Sequence, residues 1–199
     1  VSGLAFEIAM RNSMGEMGNL THKLSWEYAI SYRRAERPGE VEANAVGTNG
    51  GISDWATSVG DIPRNRASWN TNWTRGDHSL SGSVDFVSAI SLLRRSDNKD
   101  VYPVPYCQYG VGQPSTAYQL GGLPKFSNYS NGTCQVDAWT TLGASYSYSG
   151  FKNLVLNLNI RNLLDTKAPY DPRYPTGGFN SQLHNGNGRY FRASATYTF

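Results

Sequence analysis

The residues RYFRASATYTF, Arg189 to Phe199, alternate apolar and polar side chains without a break and stop on an aromatic ring. Alternation with a period of two marks a strand whose two faces meet different surroundings. Six more segments repeat it, so seven strands are predicted, at 4–11, 20–33, 66–74, 79–93, 136–148, 153–161 and 189–199. Leu4, Phe6, Ile8 and Met10 share one face of the first strand. Leu20, Leu24, Trp26, Tyr28, Ile30 and Tyr32 share one face of the second. The last strand gathers Phe191, Ala193, Ala195, Tyr197 and Phe199 in the same way.

The charges decide what the other face meets. Glu7, Arg11, Lys23, Glu27, Arg33, Arg66, Asp85, Asp137, Arg161 and Arg192 all fall opposite the apolar set. Asn70, Asn72, Asn157, Asn159, Ser81, Ser83, Ser145 and Ser147 share their side. Such a face suits water better than a packed core. His22 is the exception on the apolar face, and it lies near a turn.

Composition agrees with an all-β chain. Charged residues are only 17% of the 199, against a usual share of about 25%. Aromatics reach 13%, with 13 Tyr, and there are 21 Gly. The mean hydropathy of −0.50 therefore comes from Ser, Thr, Asn, Gly and Tyr more than from charge. A net charge of +3, spread along the chain, gives no footprint for nucleic acid. No apolar run approaches the roughly 20 residues of a membrane-spanning helix.

Strand and loop lengths narrow the architecture. Most of the predicted strands exceed the usual 5–6 residues and suit the roughly 9–11 of a strand crossing a bilayer. Links 12–19, 75–78 and 149–152 are short, whereas 34–65, 94–135 and 162–188 are long. Short turns at one end and long loops at the other describe an antiparallel transmembrane β-barrel of the Gram-negative outer membrane. Hydrocarbon offers backbone amides no partners, so a spanning sheet must close on itself, apolar outside and polar within. With the last strand ending in the periplasm, the long loops are extracellular. Single-chain bacterial barrels have even strand numbers, so seven strands, beginning at Val1 without Met, lead to the expectation of a piece of a larger barrel. A small self-contained porin-like or structural barrel is the alternative, and a secreted sugar-binding β-sandwich is a third reading.

The last two strands carry a family resemblance. LVLNLNIRNLLDTKAPYDP followed by GRYFRASATYTF resembles the C-terminus of TonB-dependent outer-membrane receptors. Asn162, Leu163, Leu164 and Asp165 match that family's N-[LI]-[FL]-D signature; Gly188, Arg189 and Phe199 match the start and end of its final strand. Ile62 to Phe86 is similar to an earlier hairpin of the same barrel. The resemblance implies the last seven strands of a 22-stranded barrel. It implies import of a scarce solute such as a siderophore, haem, cobalamin or an oligosaccharide. It also implies a plug domain and coupling to TonB, both upstream of this chain. Phe199 would then be the signal read by the outer-membrane assembly machinery.

Candidate site residues are few. Cys107 and Cys134, with 26 residues between them in one long loop, are expected to pair in an oxidising compartment. Trp55, Tyr102, Tyr106, Tyr109, Tyr118, Tyr129, Tyr170 and Tyr174 project from the long loops as candidate ligand contacts. His22 and His78 fall at the short-turn end and His184 in a long loop, too far apart for a catalytic or metal cluster. His184, in the same loop as Asp171, is expected to be solvated. No catalytic residue, cofactor or metal ligand is assigned, and the chain is read as a non-enzyme.

Overall fold

A computed structural model describes residues 1–34, 42–48, 61–91, 93–95, 101–103, 135–171 and 178–199. Seven strands dominate it: β1 (Ser2–Ser13), β2 (Asn19–Ser31), β3 (Asn65–Arg75), β4 (His78–Val87), β5 (Trp139–Phe151), β6 (Leu154–Arg161) and β7 (Tyr190–Tyr197). They form one antiparallel sheet in which each strand lies beside its neighbour in the chain. The protein is all-β and antiparallel.

Local chemistry sets the turns. A 3-10 turn at Gly15–Met17 joins β1 to β2. Two-residue links, Gly76–Asp77 and Lys152–Asn153, join β3 to β4 and β5 to β6. Gly76 and Asn153 sit at φ of 53° and 59°, in the left-handed region that Gly and Asn enter most easily.

The register carries both faces across the sheet. Met10, His22, Thr71, Gly82, Ala144, Ile160 and Phe191 form one continuous row through all seven strands. Arg11, Thr21, Asn72, Ser81, Ser145, Asn159 and Arg192 form the next row, on the opposite face. A slip of one residue would exchange the two rows, so the patterning pins the pairing. Both faces are open. Phe6, Met10, Leu80 and Phe191 keep 52%, 50%, 48% and 58% of their surface in contact with solvent. Among the described residues, β1 pairs only with β2, and β7 only with β6.

Three strands end where the alternation alone does not place them. β4 stops at Val87, and Ile90–Ser91 leaves the sheet to pair with Gln135–Val136. β2 stops at Ser31, beyond which Arg33–Arg34 pairs with Ala43–Asn44. β5 starts at Trp139, leaving Asp137 outside the sheet, and reaches Phe151 through a bulge after Tyr148. The cause is burial. Among the described residues the buried apolar side chains are Val46, Ile90, Val136 and Trp139, all toward the long-loop end. Removing Ile90 and Val136 from water there outweighs extending the ladder with strands that have no second layer to pack against.

Candidate functional site

Apart from the turn residue Arg75, the charges of the strands stand on one face. Glu7 lies opposite Ser25, Ser68 and then Asp85 across β1 to β4; Glu27 lies directly opposite Arg66. Lys23 reaches Glu7 at 3.1 Å, with both side chains more than half exposed. An exposed pair of this kind contributes little stability. Ser25 and Ser68 share a hydrogen bond at 2.7 Å, and Asn72 Oδ1 accepts from Ser79 and Ser81 at 3.1 and 2.9 Å. Two adjoining concavities follow this wall. One of about 440 Å³ is lined by Lys23, Asn70, Asn72, Ser83, Ser145 and others; one of about 340 Å³ lies over β6 and β7. Asn159 and Arg161 line both.

The opposite face is apolar, with Trp69 and Phe191 in its middle rows. Phe6, Trp26, Tyr28 and Phe86 lie toward the long-loop end. Trp73, Tyr146, Tyr148, Phe151 and Tyr197 lie toward the turns. Their polar tips find partners: Trp73 Nε1 donates to the Met17 carbonyl at 2.8 Å, and the Tyr146 hydroxyl is 2.6 Å from His78 Nδ1. His22 stacks on Trp69 with ring centroids 5.8 Å apart, which shields part of its ring on this face. Phe199 is fully exposed and meets the Tyr197 ring edge-on at 5.1 Å.

The NLLD stretch has a structural explanation. Asn162 and Asp165 both adopt the left-handed conformation, at φ of 50° and 54°. The Asn162 side chain then closes a turn on Thr166. Its Nδ2 donates to the Thr166 carbonyl and its Oδ1 accepts the Thr166 N–H, each at 2.9 Å. Asp165 Oδ1 accepts the Arg189 N–H at 2.8 Å, tying the end of β6 to the start of β7. Arg189 N–H first, and Lys167 second, hold the Asp165 carboxyl below the usual carboxylate range. A Cβ on Gly188 would stand 2.6 Å from Asp165 Oδ1, so only glycine leaves that oxygen its place. Asn and Asp tolerate left-handed backbone better than other side chains, which accounts for their identity here.

The long-loop end is knitted together by polar groups. Asn180, at 1% exposure, donates from Nδ2 to Asp61 Oδ2 at 2.6 Å. Its Oδ1 accepts the Gln182 N–H, and its carbonyl accepts from His184 N–H at 2.9 Å. His184 is 4% exposed and sits edge-on to Trp139 with centroids 5.5 Å apart. Trp139 lies opposite Val87 and thus on the polar face, so the segment carrying Asn180 and His184 packs at the long-loop end of that face. The expectation of a solvated His184 is therefore corrected: the loop turns its polar side chains into a shared cluster. Burial lowers the His184 pKa, opposed by the nearby Asp171 and Asp61 carboxylates. Asp171 is itself fully buried, with its N–H donating to the Gly178 carbonyl at 2.7 Å.

The sequence-predicted loop residues divide by where they fall. Tyr170 is 45% exposed and its ring lies 3.1 Å from where a Gly178 Cβ would be. Tyr102 belongs to the short strand Val101–Pro103, described as backbone alone. Cys107, Cys134, Trp55, Tyr106, Tyr109, Tyr118, Tyr129 and Tyr174 lie outside the described residues. Sequence reasoning missed Asp61, Asn180 and Trp139 as a cluster with His184. Only the His–Asp proximity within loop 162–188 hinted at it. Among the described residues, no group of three or more His, Cys, Asp or Glu is placed to hold a metal ion.

The fold defines a class: an all-β antiparallel sheet with one apolar and one polar face. No protein-family model matches the chain, and no curated protein matches it. Among solved structures it is similar to a ferric enterobactin receptor mutant (PfeA) of Pseudomonas aeruginosa, at 16% identity and a TM-score of 0.49, over 97% of this chain and 22% of that one. It is similar to the siderophore receptor PiuA of Acinetobacter baumannii, at 13% identity and 0.43, over 98% and 21%. It is also similar to the ferric-catecholate import receptor Fiu of E. coli K12, at 14% and 0.43, over 99% and 27%. The chain thus spans about a quarter of the length of these receptors.

Proposed function

We propose that the chain is the C-terminal part of the barrel wall of a TonB-dependent outer-membrane receptor that imports a scarce solute. The observation that carries this reading is the register. It holds the charges of the spanning strands on one open face while the other face is apolar and open. A contiguous exposed apolar patch of this size is a contact surface rather than ordinary protein exterior. Lipid is its partner in this reading, and the polar face lines the lumen. Aromatic rings toward both ends of this face support it, the Phe86 row at the long-loop end and the Tyr146, Tyr148 and Tyr197 rows toward the turns.

In this role the chain does no bond chemistry. It supplies wall, loops and the terminal aromatic, while coupling to TonB belongs to segments before Val1. The buried cluster of Trp139, Asp171, Asn180 and His184 holds the described residues at the long-loop end in place, so less of a ligand's binding energy goes into ordering those residues. The test is nutritional. A strain lacking the gene is grown with ferric siderophores, haem, cobalamin or oligosaccharides as the limiting source. Loss of growth on one source, restored by the full-length gene and abolished by a protonophore, is expected. Unaltered growth on every source would overturn the transport reading.

A further inference from the structure

The polar face is not uniform in charge. On β1 to β4, cations and acids are interleaved: Lys23 pairs with Glu7, and Arg66 stands opposite Glu27. On β5, β6 and β7 there is no acidic residue at all, but there are Arg161 and Arg192. Arg161 lies opposite Tyr190, and Arg192 opposite Asn159. The two arginines are therefore diagonal neighbours on one face, with Cβ atoms about 7–8 Å apart by strand geometry. Guanidinium forks on two such neighbours are within reach of one group lying in the concavity that both line.

Their surroundings match. The concavity of about 340 Å³ is lined by Asn157, Asn159, Arg161, Tyr190, Arg192 and Ser194. Every one of these side chains carries an N–H or O–H donor, and none is a carboxylate. Among the described residues neither arginine has an ion-pair partner. Arginine forks bind oxyanions in two parallel hydrogen bonds and stay charged at any physiological pH.

We infer that Arg161 and Arg192, with Asn157, Asn159 and Ser194, form a binding site on the polar wall for a solute bearing two or more oxyanion groups. Phosphates and carboxylates share this chemistry. The site rests on the strand register and stands whether or not the solute imported is itself anionic.

The experiment uses the full-length protein in detergent micelles at low ionic strength. Pyrophosphate and citrate are the two probes, sucrose is the uncharged control, and binding is read by titration calorimetry. Arg161→Gln and Arg192→Gln should each weaken binding about tenfold, the size expected for losing a charged hydrogen-bonding partner. The double variant should abolish it, while Arg66→Gln should change it less than about twofold, since Glu27 faces that residue. Binding should weaken with added salt, because screening acts directly on the contact between the arginines and the anion. Preference for pyrophosphate or citrate tells which oxyanion source fits. Resistance of each variant to unfolding in SDS at room temperature shows that the wall is intact. If neither probe binds at millimolar concentration, or the double variant binds like the wild type, the site does not exist. That failure would leave the transport reading standing, since growth and binding are read separately.

Discussion

Asp165 Oδ1 accepts the Arg189 N–H at 2.8 Å, and this bond joins the ends of β6 and β7 across 24 residues of sequence. Gly188 leaves the space that the carboxylate occupies. The two residues therefore act as one device, although they stand in separate stretches of the chain. Asp165→Ala and Gly188→Ala should both loosen the β6–β7 end. Their effects should be strongly non-additive, because either change breaks the same bond. Amide hydrogen exchange at Arg189 and Tyr190 checks this; unchanged protection in both variants would show that the contact does nothing. Because the Asp165 carboxyl is held below its ordinary value, its contribution is present above that value and disappears as pH falls through the lowered one.

His184 gives the loop end a second, separate acid response. Burial holds its pKa below the ordinary 6.5, so it is neutral in the folded loops. The unfolded loop binds a proton more readily. The stabilisation is therefore complete above about pH 6.5 and is lost as pH falls below it. Asp171 and Asp61 oppose the shift, which sets a limit on its size. Hydrogen exchange of residues 178–188 should quicken as pH falls below about 6.5, beyond the chemical dependence of exchange. His184→Gln should flatten that excess. An excess that persists in His184→Gln would mean that another group carries it.

Asn180 clamps two loops that lie 119 residues apart, through Asp61. Asn180→Ala removes a buried donor from a carboxylate and should cost about 1–3 kcal/mol. Thermal unfolding of the full-length protein, with exchange at 61–64 as a local probe, reads the loss. A variant as stable as the wild type, with protection unchanged, would contradict the clamp.

How far the sequence disclosed all this depends on which force acted locally. Leu4 to Met10 and Phe191 to Tyr197 were readable because an open sheet with one apolar and one polar face imposes strict alternation, and no second layer confuses it. Ile90 and Val136 continue the same alternation, yet they leave the sheet. A period of two does not tell a residue exposed to an apolar medium from one folded into a local cluster. Trp139, Asn180 and His184 were illegible as a group because irregular loops have no period and their contacts span long separations. Asn162 and Asp165 could be matched to a signature, but its reason, two left-handed residues and one cross-link, needed the backbone.

Cys107 and Cys134 are proposed to form a disulfide. Mass spectrometry of the native protein should show alkylation of both only after reduction. Closing a loop of this size contributes about 3 kcal/mol in the chain-entropy model. Alkylation of both thiols without reductant would remove the bridge from the account.

Phe199 is proposed as the assembly handle, and its ring is fully exposed beside Tyr197. Deleting Phe199 from the full-length protein should lower its amount in the outer membrane several-fold while leaving synthesis unchanged. Equal amounts would assign the ring no such role.

The central claim is that one face of this sheet meets lipid and the other meets water. Single cysteines at Leu24 and Leu158, on the apolar face, and at Ser83 and Ser145, on the polar face, carry a fluorophore in the full-length protein reconstituted with brominated lipid. Quenching by the lipid bromines at Leu24 and Leu158, and by aqueous iodide at Ser83 and Ser145, is the predicted result. Lipid quenching at Ser83 and Ser145, or equal quenching at all four positions, would contradict it.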